Sequence, residues 1–439
     1  MFNTKENNIR IKFNFNNNLI KNTNIYFLTS IFLLALIIRI AYIIINKSYI
    51  DPEDVEYGLL ARSLIGGHGY SISISGGPYV PSSNQAPIYP FFIAFFYYFS
   101  QNAISFLSIQ IIQSIISAFT CLIIYYLGLK IFENETAILA SLGMAVYPLF
   151  IHHSATINPA IFEVFFLSLS ILFLYKIIEQ PSVRNQILSG LLIGITALVT
   201  PIIILSFPLI LIWIWLNANG TYRINIKRII IISTLTLTVI LPWTVRNYLV
   251  HNKFVLIRTL AGQNFWIGNN PNATGTDLLP SGKHMFSIFP YKENPLHPFT
   301  EIERDTILSK EAFRFIKENP TTFLMLTVKK LYYFWWFPPN DLVTEKAAKF
   351  KTLMRWPQGI LILLAIIGII VSIKKWKILL LFYFFFLTYS GVYSFTHVGH
   401  YRYKGAIIPC LILIGSNGLF FMVNYFYKIL FKKKKNLTC

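Results

Sequence analysis

The sequence predicts an all-α polytopic membrane protein with about ten transmembrane helices. Interfacial helices in the first outer loop and a larger outer loop region complete that expectation. Three observations carry it. Of the 439 residues, 55% are hydrophobic and only 13% charged, against about a quarter charged in a soluble domain. Apolar runs such as "IYFLTSIFLLALIIRIAYIII" reach the roughly 20 residues that a helix needs to cross the hydrocarbon core. Finally, the 38 Lys+Arg against 18 Asp+Glu gather in short stretches beside those runs, where they read as an orientation signal rather than a nucleic-acid surface.

Both ends are basic, "KENNIRIKFNFNNNLIK" and "KILFKKKK". This places residues 1–24 and 428–439 in the cytoplasm and makes the number of crossings even. The first span lacks a small-x-small cleavage site and lies behind a long polar stretch, so it reads as a span rather than a cleaved signal. The expected spans are 25–45, 105–129, 136–152, 157–178, 187–200, 201–217, 228–246, 356–373, 377–395 and 404–425. With that topology Lys130, Lys176, Arg184, Arg223, Lys227, Arg228, Lys374, Lys375 and Lys377 fall inside. Two apolar stretches are set aside. Residues 87–100 are short, and 321–337 carry Lys329 and Lys330 at their centre, which is costly at mid-bilayer. Both read as helices lying in the outer interface, where aromatics are favoured.

The domain organisation follows from this topology. Residues 25–246 form a transmembrane module with an outer loop at 47–104, and 247–355 form a larger outer loop region with an interfacial helix. Residues 356–427 are C-terminal transmembrane helices. Cys121, Cys410 and Cys439 have neither disulfide nor metal spacing. There is no GxxxxGK[ST] loop and no GxSxG elbow, so no nucleotide cofactor and no nucleic-acid partner is expected.

The first outer loop concentrates Asp51, Glu53, Asp54 and Glu56 into six positions. Acids suit a helix N-terminus, and capping is the plain account of each one. The sharper account is that one of them, held at the membrane surface, takes a proton from an acceptor hydroxyl or ligates a metal. The same side carries Arg246 at the end of one span and Arg402 and Lys404 at the start of the last. Each can be explained by snorkelling to headgroups. Together they oppose the positive-inside rule, and an anionic lipid headgroup in a pocket would explain their persistence. His68, His152 and His153 lack a second ligand at metal spacing.

At these residues the chain resembles the polytopic glycosyltransferases of the GT-C type, specifically family 39 with the aminoarabinose transferases, protein O-mannosyltransferases and lipopolysaccharide galacturonosyltransferase-like proteins. Three motifs carry the resemblance across nearly the whole chain: "EDVEYGLLARSLIGGHGY" followed by "APIYPFF"; "PWTVRNY" leading into "GQNFWIGNNPNATG"; and "RYKGAIIP" before the final span. The resemblance implies an inverting transfer of a hexose- or pentose-type sugar from a polyprenyl phosphate to a glycan, lipid or protein acceptor. The site would lie on the outer face of the cytoplasmic membrane. A first-loop carboxylate would be the base, with Asp54, Glu53 and Asp51 the candidates in that order. Arg246, Arg402 and Lys404 would hold the lipid phosphate. The same motifs place Tyr57, Asn247, Asn269, Asn270 and Tyr403 at the sugar and lipid. Whether a divalent metal ion joins them stays open. The sequence departs from the family pattern at Gln85, where a basic residue is usual. It departs again at Asn158, where a second-loop acid is common (Glu163 lies a turn deeper), and at Thr200. The competing reading is a transporter or flippase of lipid-linked sugars, which repeat symmetry and mid-membrane charges would favour.

Overall fold

In the computed structural model, residues 25–435 are described except 51, 53–54, 74–76, 102, 219, 290–298 and 400–401. The chain is all-α apart from one small hairpin. Seventeen α-helices follow one another among the described residues: α1 (Ile25–Asn46), α2 (Val55–Ile65), α3 (Ile88–Phe99), α4 (Ala103–Ile131), α5 (Asn134–Val146), α6 (Pro148–Ser154), α7 (Ala160–Glu179), α8 (Val183–Val199), α9 (Ile202–Asn217), α10 (Tyr222–His251), α11 (Ala261–Gly268), α12 (Glu301–Glu318), α13 (Pro320–Trp335), α14 (Glu345–Val371), α15 (Trp376–Phe395), α16 (Arg402–Gly405) and α17 (Ile408–Lys435). The hairpin pairs β1 (Ser71–Ile72) with β2 (Val80–Pro81) in antiparallel register between α2 and α3.

Every expected span is helical. Among the described residues seven helices are long and apolar enough to cross a membrane, and the pair α5–α6, bent by 47°, makes an eighth. The protein is a multi-pass membrane protein. The expected spans at 187–200 and 201–217 are α8 and α9, of 17 and 16 residues, shorter than the roughly 20 of a full crossing. Pro201 ends α8 because the residue before a proline is pushed out of helical geometry, and Thr200 is extended there. The interfacial stretches also form helices. At 12 residues, α3 is too short to span, and α13 is not among the seven.

The break between α5 and α6 has an identifiable cause. Pro148 has no N–H to give Met144, so that carbonyl is orphaned inside the bundle. Arg39, fully buried on α1, supplies the missing donors. Its guanidinium donates to Met144 O at 3.3 Å, Ala145 O at 2.9 Å, and Ser117 Oγ on α4 at 2.8 Å. One cation thus ties α1, α4 and α5 together. Close approach of small residues does similar work elsewhere. Gly190 and Gly194 of α8 lie against α10, where a Cβ on Gly190 would stand 2.8 Å from Ile232 O, the small-xxx-small mode of packing in membranes.

The loop carrying α2, the hairpin and α3 shares one end of the bundle with the segment between α10 and α14. Thr259 N donates to Ser83 O at 3.0 Å. Glu301, the first residue of α12, accepts from Ser83 N at 2.8 Å, Ser82 Oγ at 2.8 Å and Thr259 Oγ1 at 2.6 Å. α12 itself starts with a capping box between Thr300 and Glu303, two donors satisfied reciprocally.

Candidate active site

The first turn of α2 brings Glu56 and Tyr57 to this end. Arg402 Nη2 lies 3.8 Å from Glu56 Oε2, whose side chain is 54% exposed. Gln85 Nε2 donates to the same oxygen at 3.4 Å. Gln85, which stands where a basic residue is usual in the family, here answers an acid. Tyr57 is buried and meets Tyr89 edge-on at 5.2 Å. Tyr89 in turn donates to Gln113 Oε1 at 2.6 Å.

Burial raises the Tyr57 phenol above its ordinary range; Arg402 opposes the shift and Glu56 adds to it. The phenol therefore remains a hydrogen-bond donor at neutral pH. Tyr403 is raised for the same first reason, again against Arg402. Its ring stacks on Tyr393 at 4.3 Å, and Tyr393 stacks on Phe334 at 5.7 Å. Arg402 stands 5.5 Å over Tyr403. The result is an aromatic wall with a guanidinium at its edge.

Two charged residues that the sequence reading did not select also belong here. Glu163, in the first turn of α7, is buried and accepts from the Tyr389 hydroxyl at 3.0 Å. It lies within electrostatic reach of Arg402 and Arg258. Arg258 also acts on Tyr57. Asn158 instead makes a local turn just before α7, its Oδ1 accepting from Ala160 N at 3.0 Å. The buried carboxylate is the one a turn deeper. Its spacing after Asn158 was visible, but its contact with Tyr389 of α15 was not.

The remaining expected residues divide into two groups. Arg246 donates to Ser82 O at 2.6 Å, Tyr70 O at 2.7 Å and Ser83 Oγ at 3.0 Å, with its guanidinium against Tyr70 and Trp243. Asn247 is buried and donates to Val255 O and Ile257 O. These two hold the first loop to α10. Lys404 donates to Trp336 O at 2.6 Å above the Phe337 ring, and burial pulls its ammonium down to about 7. Arg246 and Lys404 thus engage main-chain carbonyls, and among the described residues Arg402 is the one of the three expected cations set opposite a side-chain anion.

Asn269 and Asn270 are buried hydrogen-bonding residues of the loop after α11. Lys330, which the sequence shows only as a charge costly at mid-bilayer, is wholly buried among carbonyls, because those oxygens replace the water it loses. Asp51, Glu53 and Asp54 lie outside the described residues, just before α2. Among the described residues no three His, Cys, Asp or Glu side chains converge as a metal site.

With this geometry in place, residues 84–245 match the family model described as dolichyl-phosphate-mannose-protein mannosyltransferase. Over that stretch the chain resembles this mannosyltransferase family. The matched region runs from "NQAPIYP" in the first loop to "PWTV" in α10 and so includes Gln85, Gln113, Glu163 and Thr200. The fold extends the likeness to nearly the whole chain. The archaeal oligosaccharyltransferase AglB from Archaeoglobus fulgidus, in complex with an inhibitory peptide and a dolichol-phosphate, superposes with a TM-score of 0.55 at 12% identity, covering 94% of this chain and 52% of that one. The Archaeoglobus fulgidus oligosaccharyltransferase tethered to an acceptor peptide containing the NVT sequon gives 0.56 at 13% identity, covering 93% and 50%. At such identities the likeness is one of fold. This chain spans about half the length of those oligosaccharyltransferases. ArnT from Cupriavidus metallidurans bound to undecaprenyl phosphate gives 0.41 at 10% identity over 90% and 78%, too low to add to the argument. No curated protein matches the chain in sequence.

Proposed function

We propose that this chain is a membrane glycosyltransferase that moves a sugar from a polyprenyl-phosphate donor to an acceptor hydroxyl on the outer face of the cytoplasmic membrane. The observation that carries the proposal is Arg402, whose guanidinium lies 5.5 Å from the Tyr403 ring with Glu56 at 3.8 Å. A planar, permanently charged fork in that setting suits the phosphate oxygens of a lipid-linked sugar. The match of residues 84–245 to a family named for dolichyl-phosphate-mannose supports the donor class. The fold it shares with AglB, which is seen with a dolichol-phosphate, supports the lipid carrier.

The proposed chemistry takes the first-loop acids in the order the sequence gives them. Asp54 or Glu53, with Asp51 as the third candidate, immediately precedes the α2 turn that carries Glu56 and Tyr57. The base removes the acceptor hydroxyl proton, and the resulting oxygen attacks the anomeric carbon from the face opposite the phosphate. The sugar–phosphate C–O bond breaks with its electron pair leaving on the phosphate, so the anomeric centre inverts. Arg402 takes up the charge that grows on the leaving phosphate, the electrostatic role that is most valuable in a site shielded from water. Lys404, two residues beyond Arg402, would add positive potential. The donor brings its own leaving group, so no nucleotide cofactor takes part.

The test uses the purified chain in detergent, a panel of radiolabelled polyprenyl-phosphate sugars and a membrane extract as acceptor source. Release of free polyprenyl phosphate should require the acceptor. It should fall by about 10²- to 10⁴-fold, the contribution expected of a general base, in the Asp54→Asn/Glu53→Gln double variant. Full activity in both single variants and in the double would remove the carboxylate mechanism. Tight binding of the lipid without release would shift the function to a flippase of lipid-linked sugars.

A further inference from the structure

α15 ends at Phe395, and the chain must then run from Thr396 to Arg402 to present the guanidinium on which the proposed function depends. The last carbonyls of a helix have no partner of their own, and here one buried cation gathers them. Lys330 of α13, 0% exposed, donates to Gly268 O at 3.0 Å, Thr396 O at 3.0 Å, Asn269 Oδ1 at 3.1 Å and Phe395 O at 3.5 Å. Asn269 Nδ2 donates back to Phe395 O at 2.7 Å. A Cβ on Gly268 would stand 1.5 Å from Thr396 O, so only glycine lets the two chains approach closely enough to share the ammonium. Beyond the cage, Val398 N donates to Gly275 O at 3.0 Å, and Gly399 lies against the Asp277 carboxylate. The "GNN" string and the end of α15 therefore enclose Lys330 from two sides.

We infer that Lys330 is a positioning residue: its caged ammonium fixes the path of residues 396–399 against the 268–277 loop and thereby sets where Arg402 and Tyr403 stand. The role of Arg402 in that statement rests on the proposed function, whereas the cage does not. An ammonium suits the site because it offers three donors to four oxygens and carries charge that the α15 C-terminus favours. A cage of carbonyl oxygens that recognises N–H donors and positive charge has a chemical signature. It should accept a small primary ammonium ion in place of a truncated side chain.

The experiment compares the full chain with Lys330→Ala in detergent, by hydrogen exchange and by binding of polyprenyl phosphate. In Lys330→Ala, exchange at 396–399 should rise and polyprenyl-phosphate affinity fall, each by about 10- to 100-fold, the loss expected for hydrogen bonds to a charged group. Amides in α10 and α14 should keep their protection. Millimolar ethylammonium should restore both properties, and tetramethylammonium, which has no N–H, should restore neither. Unchanged exchange at 396–399 would overturn the inference, as would loosening that ethylammonium cannot reverse. If Lys330→Ala does not fold, Asn269→Ala removes one cage oxygen and the bond to Phe395 O. It should loosen the same four residues more mildly, and protection left intact there would also overturn the inference. Failure of the wild-type chain to bind polyprenyl phosphate would count against the proposed function alone, since the exchange and rescue measurements need no substrate.

Discussion

Lys404 shows how a single charge can be set by its surroundings. Its ammonium lies 4.3 Å from the Phe337 ring with one carbonyl partner, Trp336 O, and burial pulls its pKa from 10.5 to about 7. Between those two values the unfolded chain holds a proton that the folded chain does not. Stability from this group therefore rises with pH across that window, and the burial penalty is complete below it. On the proposed function, binding of an anionic donor runs the other way, because the ammonium adds to it. Affinity for a sugar phosphodiester, which has no proton to lose in this range, should be level below pH 7 and decline above it. Lys404→Met should flatten that decline, and a pH-independent affinity in the wild type would contradict the assignment. The sequence made Arg246, Arg402 and Lys404 equivalent, three cations at the ends of spans on one side. It carried no signal of which carbonyls would meet them. Main-chain acceptors from residues 70, 82 and 336 are supplied by loops far away in sequence, and they separate the three roles. Glu56 and Gln85 were likewise legible only as oddities until their contact made each the reason for the other.

At the level of elements, apolar length was a strong signal because a helix crossing hydrocarbon must satisfy its own backbone. All ten expected stretches are largely helical for that reason, although among the described residues seven helices, or eight with the bent α5–α6 pair, are long and apolar enough to cross. Element ends were less legible. α14 begins at Glu345, ahead of the expected 356, because Thr344 caps it. The final span is preceded by the separate turn α16 and begins at Ile408. The break at Tyr147–Pro148 was marked by the proline, yet the residue that makes it tolerable sits on another helix. Arg39→Leu should leave Met144 O and Ala145 O unsatisfied and lower stability by about 2–3 kcal/mol, as loss of hydrogen bonds to a charged group does. Thermal unfolding in detergent measures this. Arg39→Lys, with a point charge in place of a fork, should recover only part of the loss.

Across the whole molecule, the two loops at the site end behave as one body because Glu301 and Arg246 grip Ser82 and Ser83 from opposite sides. Glu301→Ala should raise exchange at the Ser83 amide by about 10- to 100-fold, in line with the lost charged acceptor, while the bundle helices stay protected. Equal loosening of the bundle would mean the grip belongs to global stability instead. Arg39 has a further consequence, for the order in which the chain is made. When α1 first enters the bilayer, α4 and α5 have not yet been synthesised, and a lone arginine at mid-helix costs about 2.5–3.5 kcal/mol on insertion scales. The otherwise apolar α1 can carry that cost, but only as an unfinished intermediate. Arrival of Ser117 and of the broken α5–α6 pair converts the same charge from a burden on insertion into the bond that closes the bundle. A nascent chain stopped before α5 should therefore hold its first helix loosely, in contact with whatever in the membrane can supply an acceptor.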